Sequence, residues 1–127
     1  MKRILLFILL TALFLTACGA SAAGPEKSVE TYLQAINAKD ATRLQSVSCK
    51  EWELDALMMM DSFQAVTTQL EGLSCRQAGS DEQGNAIVAC QGKIVASYNG
   101  ELQEFDLSVQ QYLVENSSGE WLVCGIK

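Results

Sequence analysis

The apolar positions of residues 25–63 recur at helical spacing. Pro25 and Glu26 predict the start of a first helix, because proline loses no needed N–H at the first helical position and an acid there faces the positive end of the helix dipole. One apolar stripe follows at intervals of three and four, formed by Val29, Tyr32, Leu33 and Ile36. The pattern predicts an amphipathic helix that buries this stripe.

Two shorter helices are predicted next. The run 37–39 breaks the first pattern, and Asp40 is a predicted N-cap for a short second helix. The inward positions of that helix are Ala41, Leu44 and Val47. From Glu51 we expect a third helix, with an inner face drawn from Trp52, Leu57, Met60 and Phe63. Residues 65–73 suit either a longer helix or a strand, and the β-branched Val66, Thr67 and Thr68 favour a strand.

Beyond residue 85 the apolar period changes to two. The alternating positions are Ala86, Val88, Cys90, Ile94, Ala96 and Tyr98. Asn99-Gly100 is a strong hairpin signal, and it leads into a second alternating run of Phe105, Leu107 and Val109 against Glu104, Asp106 and Ser108. After a turn at 117–119, residues 121–124 form a predicted last strand. Helices followed by an antiparallel meander predict an α+β domain.

The N-terminal residues have the organisation of an export signal. Lys2 and Arg3 precede an apolar stretch of about 12 residues, too short to span a bilayer as a helix. The stretch ends in Leu-Thr-Ala-Cys18, which resembles the lipobox of bacterial lipoproteins. We therefore predict a signal peptide at 1–17, a lipidated tether at 18–24 and a domain at 25–127. The alternative is an ordinary secretory signal that contains a cysteine.

This resemblance implies acylation of Cys18 and anchoring in the bacterial cell envelope, on the extracytoplasmic side, with the membrane leaflet left open. Loss of Lys2 and Arg3 with the signal leaves seven basic against 15 acidic residues, a net charge of −8. The charges are scattered, as on a solvated surface, and such an acidic domain does not bind nucleic acid non-specifically.

Four further cysteines remain, an even number that two disulfides require in an oxidising compartment. Metal binding is the weaker interpretation, because the chain has no histidine and no C-x-x-C spacing. Cys75 and Cys90 are symmetric about the predicted turn at 81–84 and are expected to face each other across a hairpin. This leaves Cys49 to pair with Cys124.

Two segments resemble the nuclear-transport-factor-like cone fold. Residues 29–41, VETYLQAINAKDA, resemble its opening helix-turn-helix signature, and residues 119–125, GEWLVCG, resemble its final strand. Small cone-fold bacterial lipoproteins of unknown function are the nearest kind, and Cys49 and Cys124 resemble theirs. The resemblance implies a curved sheet wrapped around the helices, with a pocket at its open end. Candidate pocket residues are Tyr32, Met60, Phe63, Tyr98 and Trp121.

The resembled superfamily includes ketosteroid isomerases, limonene epoxide hydrolases and polyketide cyclases, but also binding and dimerisation modules, so fold alone does not decide function. An isomerase-like site would use Tyr32, Asp40 and Asp55. Asp55 falls in a predicted helix, however, and Glu104 and Asp106 alternate outward. No Ser/His or Cys/His pair and no phosphate-binding loop is present.

We therefore expect a non-catalytic module that binds a small apolar ligand, a protein partner or a second copy of itself. An isomerase- or hydrolase-like enzyme that uses the cone pocket is the alternative. No cofactor is expected.

Overall fold

The computed structural model describes residues 23–127. The predictions for the signal peptide, for Cys18 and for most of the tether lie outside the described residues. The elements in chain order are α1 Pro25–Ala38, α2 Ala41–Ser46, α3 Glu53–Asp61, β1 Thr67–Ser80, β2 Ala86–Tyr98, β3 Glu101–Asp106, a 3-10 helix Leu107–Val109, β4 Gln111–Ser117 and β5 Glu120–Ile126.

The first two helices follow the predicted pattern. Pro25 occupies the first turn of α1, and the predicted stripe is buried. The Asp40 carboxylate accepts a hydrogen bond from the Arg43 backbone N–H at 3.0 Å and caps α2. The prediction for the third helix is wrong in part of its inner face, because α3 begins at Glu53 and buries Ala56 and Met60. Trp52 and Leu57 are half-buried, and Phe63 is buried beyond the end of the helix. Three helices thus pack on one five-stranded antiparallel sheet, which confirms the α+β class.

The sheet departs from a simple meander at β3. Its main strand order is β1-β2-β4-β5, and β3 also pairs with β2. β4 pairs with residues 86–89 of β2, whereas β3 pairs with residues 93–98. Both strands therefore use the same edge of the long strand β2, one after the other.

The expected strand through residues 105–109 is wrong in its second half. The chain leaves the sheet after Asp106, and Leu107–Val109 forms a 3-10 helix. The cause is local, because the Asp106 carboxylate accepts hydrogen bonds from the Ser108 backbone N–H at 2.8 Å and its hydroxyl at 2.7 Å. This capping reverses the chain so that β4 can begin at Gln111.

A glycine pair bends the long β1–β2 hairpin. The pairing register breaks between Glu71 and Ser74, and Gly72 and Gly92 both have positive φ. A Cβ on Gly92 would lie 2.5 Å from the backbone oxygen of Glu71, so only glycine fits this approach. A bulge of this kind bends the strand that carries it, and here it interrupts the pairing of the 13-residue strand β2.

Two disulfides connect distant parts of the fold. Cys75 lies directly opposite Cys90 in the β1–β2 register, with 4.0 Å between their Cα atoms. Cys49 is bonded to Cys124, with 4.9 Å between their Cα atoms. Beside this bond the Cys49 backbone N–H donates to the Val123 carbonyl at 2.8 Å, which docks the α2–α3 connection against β5. Two disulfides fit an oxidising, extracytoplasmic location.

The core lies between the helices and one face of the sheet. Residues 23–127 contain one continuous buried cluster and both disulfides, so this segment carries the interactions that hold the domain together. Within these described residues no helix is long and apolar enough to cross a membrane.

Candidate functional site

An apolar cavity lies between the C-terminal half of α1, the end of α3 and the β3 segment. Its volume is about 580 Å³, within the usual range for small-molecule sites. The apolar part of its wall includes Leu33, Ile36, Met59, Phe63, Ile94 and Phe105. Side chains of this kind favour an apolar occupant, because they offer it dispersion contacts and no charge.

The 3-10 helix closes one side of the cavity. Leu107 is buried there, whereas Val109 is 79% exposed and Phe105 is 40% exposed. The Phe63 and Phe105 rings pack edge to face, with centroids 5.3 Å apart. Large apolar side chains at an open rim indicate that the cavity is reached from solvent at this point.

The polar groups of the wall are few. Gln110 and Tyr112 both line the cavity, and the Gln110 amide N donates to the Tyr112 hydroxyl at 2.9 Å. The Ser62 hydroxyl donates to the Met59 backbone oxygen at 2.6 Å. Burial raises the pKa of Tyr112, so its phenol stays protonated at neutral pH.

Two carboxyl-bearing residues, Glu104 and Asp106, border the cavity, but their carboxylates are engaged elsewhere. In the β2–β3 register they alternate with the cavity-lining Phe105, so their side chains lie on the opposite face of β3. Glu104 forms an ion pair with Lys93 at 2.6 Å, and hydrogen bonds from Ser108 lower the pKa of Asp106. Among the described wall residues, therefore, no charged side chain points into the cavity.

The five pocket residues expected from sequence lie in four different places. Phe63 lines the cavity, whereas Tyr32 and Met60 are buried in the core. Tyr98 is half-buried at the end of β2, beside the Asn99-Gly100 turn. Trp121 lines a separate shallow cleft with Ser28, near the start of the domain.

The residues of the isomerase-like alternative do not converge on this cavity. The Tyr32 hydroxyl accepts a hydrogen bond from the Trp52 indole N–H at 3.1 Å and lies 4.0 Å from the Met59 sulfur. Burial raises the pKa of Tyr32 to about 12, which is far from the range of a neutral-pH proton carrier. Asp40 caps α2, and Asp55 is exposed on α3.

Sequence reasoning missed the contribution of the 3-10 helix and its neighbours to this wall. Val109, Gln110 and Tyr112 are not recognisable as wall residues from the sequence, because the alternating apolar run predicts one continuous strand. The available signal was the Asp-x-Ser spacing at 106–108, which favours a local capped turn over a continued strand.

One carboxylate lies beside the Cys49–Cys124 disulfide. Glu115 Oε2 is 3.4 Å from Cys49 Sγ, and the ligand-type atoms of these three residues lie within 4.8 Å of one another. With the disulfide formed, the sulfurs are bonded to each other, so the group has no thiolate with which to hold a metal ion.

Searches among known protein families and among curated proteins find no match to this chain.

Proposed function

We propose that this protein is a lipid-anchored extracytoplasmic lipoprotein whose single domain has the nuclear-transport-factor-like cone fold and binds a small apolar molecule without catalysis. The observation that carries the ligand-binding part is the cavity of about 580 Å³ with its apolar wall. The three helices on a five-stranded antiparallel sheet with a bulged hairpin, together with the two sequence signatures, support the cone fold.

The enzymatic alternative has less support in the same cavity. An isomerase or hydrolase needs a titratable pair that reaches the bound substrate. Tyr32 already bonds Trp52, Asp55 is exposed, and the carboxylates of Glu104 and Asp106 lie on the other face of β3.

A second candidate, self-association, is favoured by the outer face of the sheet. Ile87 and Leu113 pair across β2 and β4 on the face opposite the helices, and Leu122 of β5 lies on the same face, opposite Glu115. All three are apolar and half-buried. Native mass spectrometry of residues 23–127 separates the two candidates, since a monomer with a bound small molecule supports the cavity and a dimer without one supports the sheet face.

The cavity is tested with two matched variants at exposed apolar positions. Val109 stands at the cavity rim and is 79% exposed, whereas Leu54 lies on the outer side of α3 and is 70% exposed. In fluorescence titrations of residues 23–127 with the neutral dye N-phenyl-1-naphthylamine, we expect saturable binding that Val109→Glu weakens by roughly 4-fold, because the ligand loses an apolar contact of about one methyl group at the rim.

Leu54→Glu is the control for non-specific binding of the dye to exposed apolar side chains and should leave the affinity for the dye unchanged. Equal weakening by the two variants would place the dye on the exposed surface. Absence of saturable binding to the wild-type domain would remove the ligand-binding proposal.

A further inference from the structure

Gln110 and Tyr112 form the more deeply placed polar pair of the cavity wall, whereas Ser62 is exposed and its hydroxyl already donates to the Met59 backbone oxygen. Gln110 is half-buried and reachable from the cavity, whereas Tyr112 behind it is fully buried. Their hydrogen bond of 2.9 Å uses one donor of the Gln110 side-chain amide. A side-chain amide has two N–H donors and one carbonyl acceptor, so one donor and the acceptor remain for an occupant.

The neighbouring structure also fixes the positions of Gln110 and Tyr112. Gln110 follows the 3-10 helix with extended backbone, and Tyr112 is two residues further on at the start of β4. The edge-to-face contact of Tyr112 with Tyr32, at 6.1 Å between centroids, places its ring against α1. The amide is therefore positioned by its tyrosine partner, which reduces the entropy that it would lose on binding a ligand.

The described wall of the cavity offers no counter-charge to a bound ligand. The bordering carboxylates bond Lys93 and Ser108, and they stand on the other face of β3. An ionised ligand would lose its hydration in the cavity without gaining a counter-charge, whereas one uncharged polar group can be paired.

We infer that the cavity takes a neutral ligand with an apolar body and one uncharged hydrogen-bonding group, such as a carboxamide, and that Gln110, positioned by Tyr112, anchors that group. This inference rests on the proposed ligand-binding function and names the class of ligand.

The test uses three probes of similar shape, 2-naphthamide, 2-isopropylnaphthalene and 2-naphthoate, as competitors of N-phenyl-1-naphthylamine on residues 23–127. Affinity for the amide relative to the isopropyl compound should fall by roughly 2- to 12-fold in Gln110→Met, the range for one hydrogen bond. Gln111→Met is the control, because Gln111 is exposed and alternates with Tyr112 along β4.

Tyr112→Phe provides a second variant that keeps the ring and removes the hydroxyl, and it should lower the same ratio. An unchanged ratio in both variants, with all probes still binding, would overturn the role of Gln110. Naphthoate binding as tightly as naphthamide would overturn the neutral class. If the dye does not bind the wild-type domain at all, the proposed function itself fails.

Discussion

At the scale of single residues, Tyr32 makes the protein sensitive to high pH. Burial raises its pKa from 10.0 to about 12, so the folded state favours the neutral phenol. Its contribution to stability is complete below pH 10 and is lost as the pH rises from 10 to 12, because the unfolded chain ionises first. We expect the free energy of unfolding to fall over that interval by up to roughly 3 kcal/mol through this group.

Tyr32→Phe separates this ionisation from packing. At pH 7 the variant loses the hydrogen bond from Trp52, at a cost of about 1 kcal/mol. In urea unfolding between pH 7 and 11.5 the cost should shrink above pH 10 and then change sign, because phenylalanine cannot ionise. A cost that stays constant across this range would contradict the assignment.

The structural role of Asp40 was predictable from the sequence, whereas that of Tyr32 was predictable only in part. The capping role of Asp40 was predictable because the bond reaches only from position 40 to position 43. The environment of Tyr32 depends on Trp52 and Met59, 20 and 27 residues away. Its burial followed from the helical stripe, but the hydrogen-bond partner of its hydroxyl did not.

At the scale of elements, the two disulfides should stabilise the domain unequally. Cys75–Cys90 closes a separation of 15 residues and Cys49–Cys124 one of 75. The chain-entropy relation gives roughly 3 kcal/mol for the first and roughly 4.5 kcal/mol for the second. Thermal and urea unfolding of the double-alanine variants should therefore show the larger loss for Cys49→Ala/Cys124→Ala.

A tryptic digest without reduction establishes the pairing for this comparison. Trypsin places the four cysteines on different peptides, 44–50, 51–76, 77–93 and 94–127. We expect 51–76 joined to 77–93, and 44–50 joined to 94–127. A peptide joining Cys49 to Cys75 or Cys90 would contradict the structure.

Elements with local signals were the predictable ones. The Asn99-Gly100 turn pairs Tyr98 with Glu101, as the dipeptide predicts. The sharing of one β2 edge by β3 and β4 was not predictable from periodicity, because an alternating pattern gives the buried face of a strand but not its neighbour. The cavity wall forms where β3 and β4 pair with β2. Because that pairing was not predictable, the location of the cavity was not predictable either.

At the scale of the whole molecule, the proposed membrane anchor and the proposed ligand site lie in different parts of the chain. Residues 23–127 carry the core, the disulfides and the cavity. The proposed signal peptide and lipidation site precede these residues in the sequence. The two parts can therefore be tested separately.

Cys18→Ala tests the proposed anchor on the full chain. We expect loss of fatty-acid labelling and release from the membrane fraction, because each buried methylene contributes about 0.8 kcal/mol and two acyl chains are needed for stable anchoring. Gly19→Ala, beside it, should remain labelled and membrane-bound. Labelling that persists in Cys18→Ala would place the lipid on another residue, and an unlabelled wild-type protein would favour the ordinary secretory signal. Since the cavity residues lie in the separate domain, either result leaves the dye affinity as an independent measurement.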